Sequence, residues 1–324
     1  MRLQVLILVV VASACGPAPA TTVVSKTTPT ECLHDSTCQF LMFAAHRGQC
    51  GDDTEPENSI ASYLACARAG APMVEIDTRV TKDGVVVLHH DSDVLRVTDF
   101  EARFGTTKSA KVADLTVAEF QSLRMKDARC QGADANLTRC RGATLDELLD
   151  ATAELGVTFF IDYKAGDLSA FITNVKAKPG ADRRMLFFDS NLDVLTRIHA
   201  ELPQMALMPR VQSADEARQL VATTTLPITW VHGDPDYVKA LAPELKAKGI
   251  RLYSNVWLLD AEFIAVITGS EADKQTAWDK RVKPQLEGLI KDGLSGAGSE
   301  WSARMIRGLY PQGWGLSRSV AAPR

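Results

Sequence analysis

The run "VEIDTRVTKDGVVVLHHD", Val74 to Asp91, decides the fold. Side chains on a strand alternate between its two faces. In the first half, Glu75 and Asp77 therefore share one face and Val74 and Ile76 the other. A second apolar run, Val85–Leu88, ends in His89-His90-Asp91. Further on, "VTFFIDYK" from Val157 to Lys164 repeats the pattern, with Asp162 and Lys164 on a common face. Paired carboxylates on an otherwise apolar strand cannot lie under packed helices. They belong in an interior that opens to solvent at one end. A (β/α)₈ barrel has that geometry, and its sites lie at the C-terminal ends of the strands.

Outward from this stretch, short apolar runs alternate with helix-like segments. The runs are Leu41–Ala45, Met73–Val80, Val85–Leu88, Val157–Tyr163, Met185–Phe188, Met205–Met208, Ile228–Val231, Arg251–Val256 and, more weakly, Leu294–Ala297. Thr116-x-x-Glu119, Thr144-x-x-Glu147 and Ser213-x-x-Glu216 read as capping boxes that open helices. Gly156 and Gly249 stand where left-handed helix caps are needed. About eight strands with helices between them predict an α/β fold, a TIM barrel, with an enlarged helical segment at Asp260–Gly293 before the last strand. A doubly wound open sheet is the alternative, but the chain lacks its Gly-rich nucleotide fingerprint.

Three carboxylates at one mouth repel each other and lose hydration, so they require a positive partner. Lys164 offsets one charge. A hard divalent cation, Ca²⁺ or Mg²⁺, suits the oxygen ligands Glu75, Asp77 and Asp162. His46 follows the first strand and His90 the Val85–Leu88 run. Two imidazoles placed there supply a general acid and a general base near neutral pH. Arg47 offers a planar fork for a phosphate, and Gly48 leaves room for the chain to turn beneath a ligand. By alternation His89 faces away and reads as structural.

The 324-residue chain carries a net charge of −4 and no basic stretch, which argues against nucleic-acid binding. The start, MRLQVLILVVVASAC, has a basic residue and an apolar run too short to span a bilayer. It is similar to a bacterial lipoprotein signal with lipid on Cys15; ordinary cleavage after Ala20 is the alternative. Both export the chain. The expected organisation is a signal over 1–14, a Thr/Pro-rich tether over 15–36 and a barrel domain over 37–324. The expected location is a membrane-anchored lipoprotein on the periplasmic or cell-surface side, as a monomer. Without Cys15, six cysteines remain. Nearest-neighbour pairing gives Cys32–Cys38, Cys50–Cys66 and Cys130–Cys140, one of fifteen connectivities. Asn136-Leu-Thr138 is a formal glycosylation sequon.

His46-Arg47-Gly48, Pro56-Glu57-Asn58-Ser59, Glu75-x-Asp77, Thr81-Lys82-Asp83-Gly84 and His90-Asp91 follow one another in order. Together with Thr144–Leu149, this series resembles the glycerophosphodiester phosphodiesterase family. The resemblance is strong from about 42 to 165. It implies a barrel that hydrolyses a glycerophosphodiester to glycerol 3-phosphate and an alcohol. It also implies His46 and His90 as the catalytic pair, a cation on Glu75, Asp77 and Asp162, phosphate contacts from Arg47 and Lys164, and support from Glu57 and Asn58. Three positions depart from the family pattern. Asp162 replaces a Glu, which predicts a weaker and more hydrated metal site. Tyr253–Trp257 and Ser299-Glu300-Trp301 differ from its late strands. Arg210, His232, Asn255 and Trp257 are candidates for the pocket wall. Rival readings are a lysophospholipase D, a sphingomyelinase D-like cyclase, and an inactive ligand-binding surface lipoprotein.

Overall fold

The computed structural model describes residues 27–38, 40–50, 55–131, 139–255 and 270–299. Eight parallel strands form the barrel. They are β1 (Met42–Ala45), β2 (Met73–Val80), β5 (Thr158–Ala165), β6 (Met185–Asp189), β7 (Ala206–Pro209), β8 (Trp230–His232), β9 (Arg251–Asn255) and β10 (Gly296–Ser299). One arm runs from β1 through β2, β5 and β6 to β7, the other from β1 through β10 and β9 to β8. The arms meet where Val211 N–H donates to the His232 carbonyl at 3.0 Å, next to a bridge between Arg210 and His232. The expected barrel is therefore present and nearly closed. The enlarged segment before β10 contributes helices Glu271–Ala277 and Lys283–Lys291 with a π turn between them.

Val85–Leu88 is not a barrel strand. Its core, β3 (Val86–Leu88), runs antiparallel to the far half of β2, and β4 (Ala143–Thr144) pairs with β3 in turn. The reason is length. β2 has eight residues, but β1 pairs only with Met73 and Val74 at its start. The rest of that edge of β2 needs another partner. The chain between β3 and β4 packs its own small core of Val94, Phe100, Val112, Leu115, Phe120 and Leu123.

Strand alternation separates two further cores. Val74, Ile76, Phe159 and Ile161 face the helices. Met42, Ala44, Met73, Phe160, Leu186, Met208, Trp230 and Tyr253 fill the barrel interior. Small residues accommodate the large ones there. A Cβ on Gly296 would stand 2.5 Å from Tyr253 and 2.8 Å from Trp230.

Residues 28–34, expected within the tether, instead belong to the barrel domain. Thr28 and Glu31 form a reciprocal capping box that starts the helix Pro29–His34. Its Cys32 and Leu33 are fully buried and plug the N-terminal end of the barrel. Trp230 Nε1 donates to the Leu33 carbonyl at 2.9 Å. Arg251 donates to the Cys32 carbonyl at 2.7 Å and lies 4.1 Å over the Trp230 ring. All three nearest-neighbour disulfides are formed. Cys15 and Asn136 lie outside the described residues.

Candidate active site

β2 and β5 run in register, with Asp77 opposite Asp162. Met73 points into the barrel core, so Glu75 and Asp77 on the same face do too. One ligand oxygen from each of Glu75, Asp77 and Asp162 lies within 4.8 Å of the others. Glu75 and Asp77 are buried. Burial, together with the charges of Asp77 and Asp162, pushes the Glu75 carboxyl well above its ordinary range. Burial acts on Asp77 in the same direction, but the Lys164 charge and the Asn58 hydrogen bond outweigh it and hold Asp77 low. Lys164 Nζ lies 2.6 Å from Asp162 Oδ2 and 3.1 Å from Asp77 Oδ1.

The loop after β1 supplies the next groups. His46–Gly48 is a single 3₁₀ turn in which Arg47 has φ 51°. That left-handed conformation is uncommon outside glycine. It aims the Arg47 N–H at Glu75 Oε2, 2.6 Å away. The room at Gly48 serves packing rather than a ligand, because a Cβ there would lie 2.6 Å from Ser62 and 2.7 Å from the Tyr63 ring. Asn58 is also left-handed, at φ 53°. Its N–H bonds the Arg47 carbonyl at 2.9 Å and its amide donates to Asp77 Oδ2 at 2.9 Å. Tyr63 fixes that amide from behind at 2.5 Å. Asn58 thus joins the loop to the acidic trio. The Arg47 guanidinium is held loosely, 3.4 Å from Glu57 and 3.6 Å from Asp77, so it retains donors for an anion. The Cys50–Cys66 bridge clamps this loop to the helix Ile60–Ala69.

His90 enters from the excursion after β3. Its Nδ1 lies 2.7 Å from Asp91 Oδ1, and Arg79 holds its carbonyl from two donors at 2.7 and 3.0 Å. His89 is buried, bonds the Asp93 carbonyl through Nε2 at 2.8 Å and meets the Phe120 ring edge-on. It is structural, as alternation implied.

A cavity of about 300 Å³ opens at this end of the barrel. Half of its lining is ionic or titratable: His46, Arg47, Glu75, His90, Asp162 and Lys164. The other half is uncharged: Ala44, Phe160, Phe188, Tyr253, Asn255 and Gly298, with Phe160 next to Glu75 in the β2–β5 register. Of the three expected wall residues that are described, Asn255 lines it and Arg210 and His232 do not. Arg210 follows β7 and stays exposed, where its guanidinium keeps its hydration. His232 is buried behind the wall, 4.9 Å from the Phe188 ring and 5.7 Å from Tyr253. Burial and the Arg210 charge depress it to about 4, outweighing the Asn255 side chain, which acts the other way. Trp257 lies outside the described residues. Sequence reasoning missed Phe160 and Phe188, and reached Tyr253 only as part of the Tyr253–Trp257 run that departs from the family pattern. An aromatic in a strand is far more often core than wall, so no signal marked the two phenylalanines.

The acidic trio fits a hard cation. Its donors are all carboxylate oxygens, and Asp77 Oδ1 is buried and accepts no hydrogen bond of good geometry. Glu75 remains protonated above its ordinary range unless more positive charge arrives.

A family model described as the glycerophosphoryl diester phosphodiesterase family matches residues 46–293. The glycerophosphodiester phosphodiesterase of Bacillus subtilis is 27% identical over 233 residues, which cover 66% of this chain and 75% of the relative. Glycerophosphodiester phosphodiesterase 1 of Mus musculus is 38% identical over 98 residues, which cover 30% of this chain and 29% of the relative. A solved glycerophosphoryl diester phosphodiesterase from Parabacteroides distasonis superposes with a TM-score of 0.65 at 17% identity, covering 88% of this chain and 92% of that one. An Oleispira antarctica phosphodiesterase in complex with the product sn-glycerol-3-phosphate has a TM-score of 0.60 at 19% identity, covering 83% and 97%. At such identities the superpositions establish the shared barrel alone. The family match spans both histidines, the acidic trio, Arg47 and Lys164, and on it the chain belongs to the glycerophosphoryl diester phosphodiesterase family, a family of phosphoric diester hydrolases.

Proposed function

We propose that this chain hydrolyses a glycerophosphodiester to glycerol 3-phosphate and an alcohol, with Ca²⁺ or Mg²⁺ as cofactor. The observation that carries this reading is the ionic lining of the cavity, which gathers two carboxylates, two histidines and two cations, with buried Asp77 completing the acidic trio. The activity in the names of the bacterial and mouse relatives, and the product bound by the Oleispira protein, support it.

When bound, the cation would be held by Glu75, Asp77 and Asp162 and would supply Lewis acidity and charge neutralisation at the phosphate. Lys164 would then share its carboxylates with that ion, leaving its ammonium to the phosphate beside Arg47. His46 and His90 move the protons. One histidine accepts the proton of the glycerol 2-hydroxyl as its oxygen bonds to phosphorus. The bond from phosphorus to the alcohol breaks, and the other histidine protonates the departing oxygen. A water then gives its proton to that second histidine and attacks the cyclic phosphate. The bond to the 2-oxygen breaks, and the first histidine returns its proton there. With Nδ1 engaged by Asp91, His90 has Nε2 for this work.

Product analysis by phosphorus NMR tests this. Glycerol 3-phosphate should form from a glycerophosphodiester, stop with chelator and resume with added cation. Lysophosphatidic acid made from a lysophospholipid would favour the lysophospholipase D reading. A cyclic phosphate as end product would favour the cyclase, and no turnover on any diester would favour the inactive binder. We also propose that the chain is exported, with a lipid anchor on Cys15. Three disulfides in one domain support an oxidising compartment.

A further inference from the structure

Arg96 lies on the excursion after β3, and its side chain is 49% exposed. It has two carboxylate partners on two different loops. Arg96 Nε donates to Asp91 Oδ2 at 2.5 Å, and a terminal nitrogen donates to Glu57 Oε1 at 2.6 Å. Each carboxylate has a second partner that lines the cavity. Asp91 accepts from His90, and Glu57 faces Arg47. The chain of contacts His90–Asp91–Arg96–Glu57–Arg47 therefore joins the loop after β1 to the loop after β3.

We propose that Arg96 is a positioning residue, a clamp that sets His90 and Arg47 in register across the cavity. The inference rests on the phosphodiesterase reading above. One planar guanidinium sends separate donors to two carboxylates in fixed directions, and an ammonium cannot reproduce that. Burial alone would raise Asp91, but the Arg96 and His90 hydrogen bonds hold it at about 2, so it stays an ionised acceptor for both. A side chain this exposed contributes little to stability. A small displacement of a catalytic group costs far more, since a shift of about 1 Å can lower a rate about 100-fold. A second ion pair, Arg139 with Glu55 at 2.5 Å, joins the same excursion to the loop after β1. Among the described contacts that pair does not reach His90 or Arg47, so it serves as a structural control.

The test compares the full chain, loaded with Ca²⁺ or Mg²⁺, with Arg96→Ala, Arg96→Lys, Arg139→Ala and His90→Ala on a glycerophosphodiester. Arg96→Ala should lower kcat about 10- to 100-fold with little change in KM or Tm. Arg96→Lys should recover only part of the loss, and Arg139→Ala should stay close to wild type. Wild-type kcat in Arg96→Ala, beside an inactive His90→Ala, overturns the clamp and leaves the phosphodiesterase reading intact. Equal losses of kcat and Tm in Arg96→Ala and Arg139→Ala reduce Arg96 to a structural tie and overturn it as well. An inactive wild type, or an active His90→Ala, defeats the phosphodiesterase reading and the clamp with it.

Discussion

The two halves of the cavity lining, ionic and aromatic, are built from opposite materials. The ionic half holds its groups through crossed bonds: Asn58 on Asp77, Arg47 N–H on Glu75, Lys164 on Asp162, and Asp91 on His90. It also carries backbone strain, with Arg47 and Asn58 both left-handed. The uncharged half relies on ring contacts, with Phe160 stacked on Tyr253 at 5.2 Å and tilted against Phe188 at 5.4 Å. Strain and buried charge thus concentrate where reacting atoms must be fixed. The aromatic half sets the shape of the space beside them. Substitutions in the ionic half should change kcat, and those in the aromatic half KM.

The sharpest contrast comes from the histidines. His46→Ala and His90→Ala should each lower kcat by about 10² to 10⁴ while the fold persists, as measured by turnover and circular dichroism. Near-normal turnover in either would erase the distinction between the halves.

Glu75 provides the next test, through pH. Its folded pKa lies above the unfolded value near 4.5. A raised carboxyl favours the fold only while it is protonated, so the metal-free protein should lose stability as pH rises above that value. A cation that binds the ionised trio should oppose this loss. The rise in Tm on adding a fixed concentration of Ca²⁺ should therefore grow with pH as binding tightens; at 100 times Kd the stabilisation is about 2.7 kcal/mol. A pH-independent shift would separate the cation from Glu75.

In the aromatic half, Phe188→Ala should raise KM about tenfold, equal to about 1.4 kcal/mol, with kcat nearly unchanged. A loss confined to kcat would mean that this wall also positions reacting groups. The smallest effect belongs to His232→Phe. His232 is neutral at pH 7, depressed to about 4 by burial and the Arg210 charge, and sits among the rings of Phe188 and Tyr253. A depressed histidine loses its contribution as pH falls from about 6.5 toward 4. The variant should fold, turn over normally and resist acid slightly better in thermal melts.

The ionic half was largely legible in the sequence because its chemistry carries a period. Glu75 and Asp77, and Asp162 and Lys164, advertise a shared face by alternation. The wall of Phe160 and Phe188 was not legible, since apolar side chains at inward positions read as core whether or not a cavity reaches them. Arg96 was silent for another reason: its partners, Asp91 and Glu57, meet only when two loops fold together. The role of Val86–Leu88 turned on the unequal lengths of β1 and β2, which local patterning does not reveal. The capping box Thr28-x-x-Glu31 was readable and was overlooked inside a Thr/Pro-rich stretch.

The central claim is that the ionic half is a cation site built on Asp162 as well as on Glu75 and Asp77. Calorimetric titration of Ca²⁺ or Mg²⁺ into wild type, Asp162→Glu and Asp162→Ala tests it most directly. The longer Glu reaches about 1.5 Å further, one carbon–carbon bond, and should tighten binding. Asp162→Ala should bind the cation far more weakly than wild type. If Asp162→Ala binds as tightly as wild type, Asp162 is not a ligand and the trio is not the site.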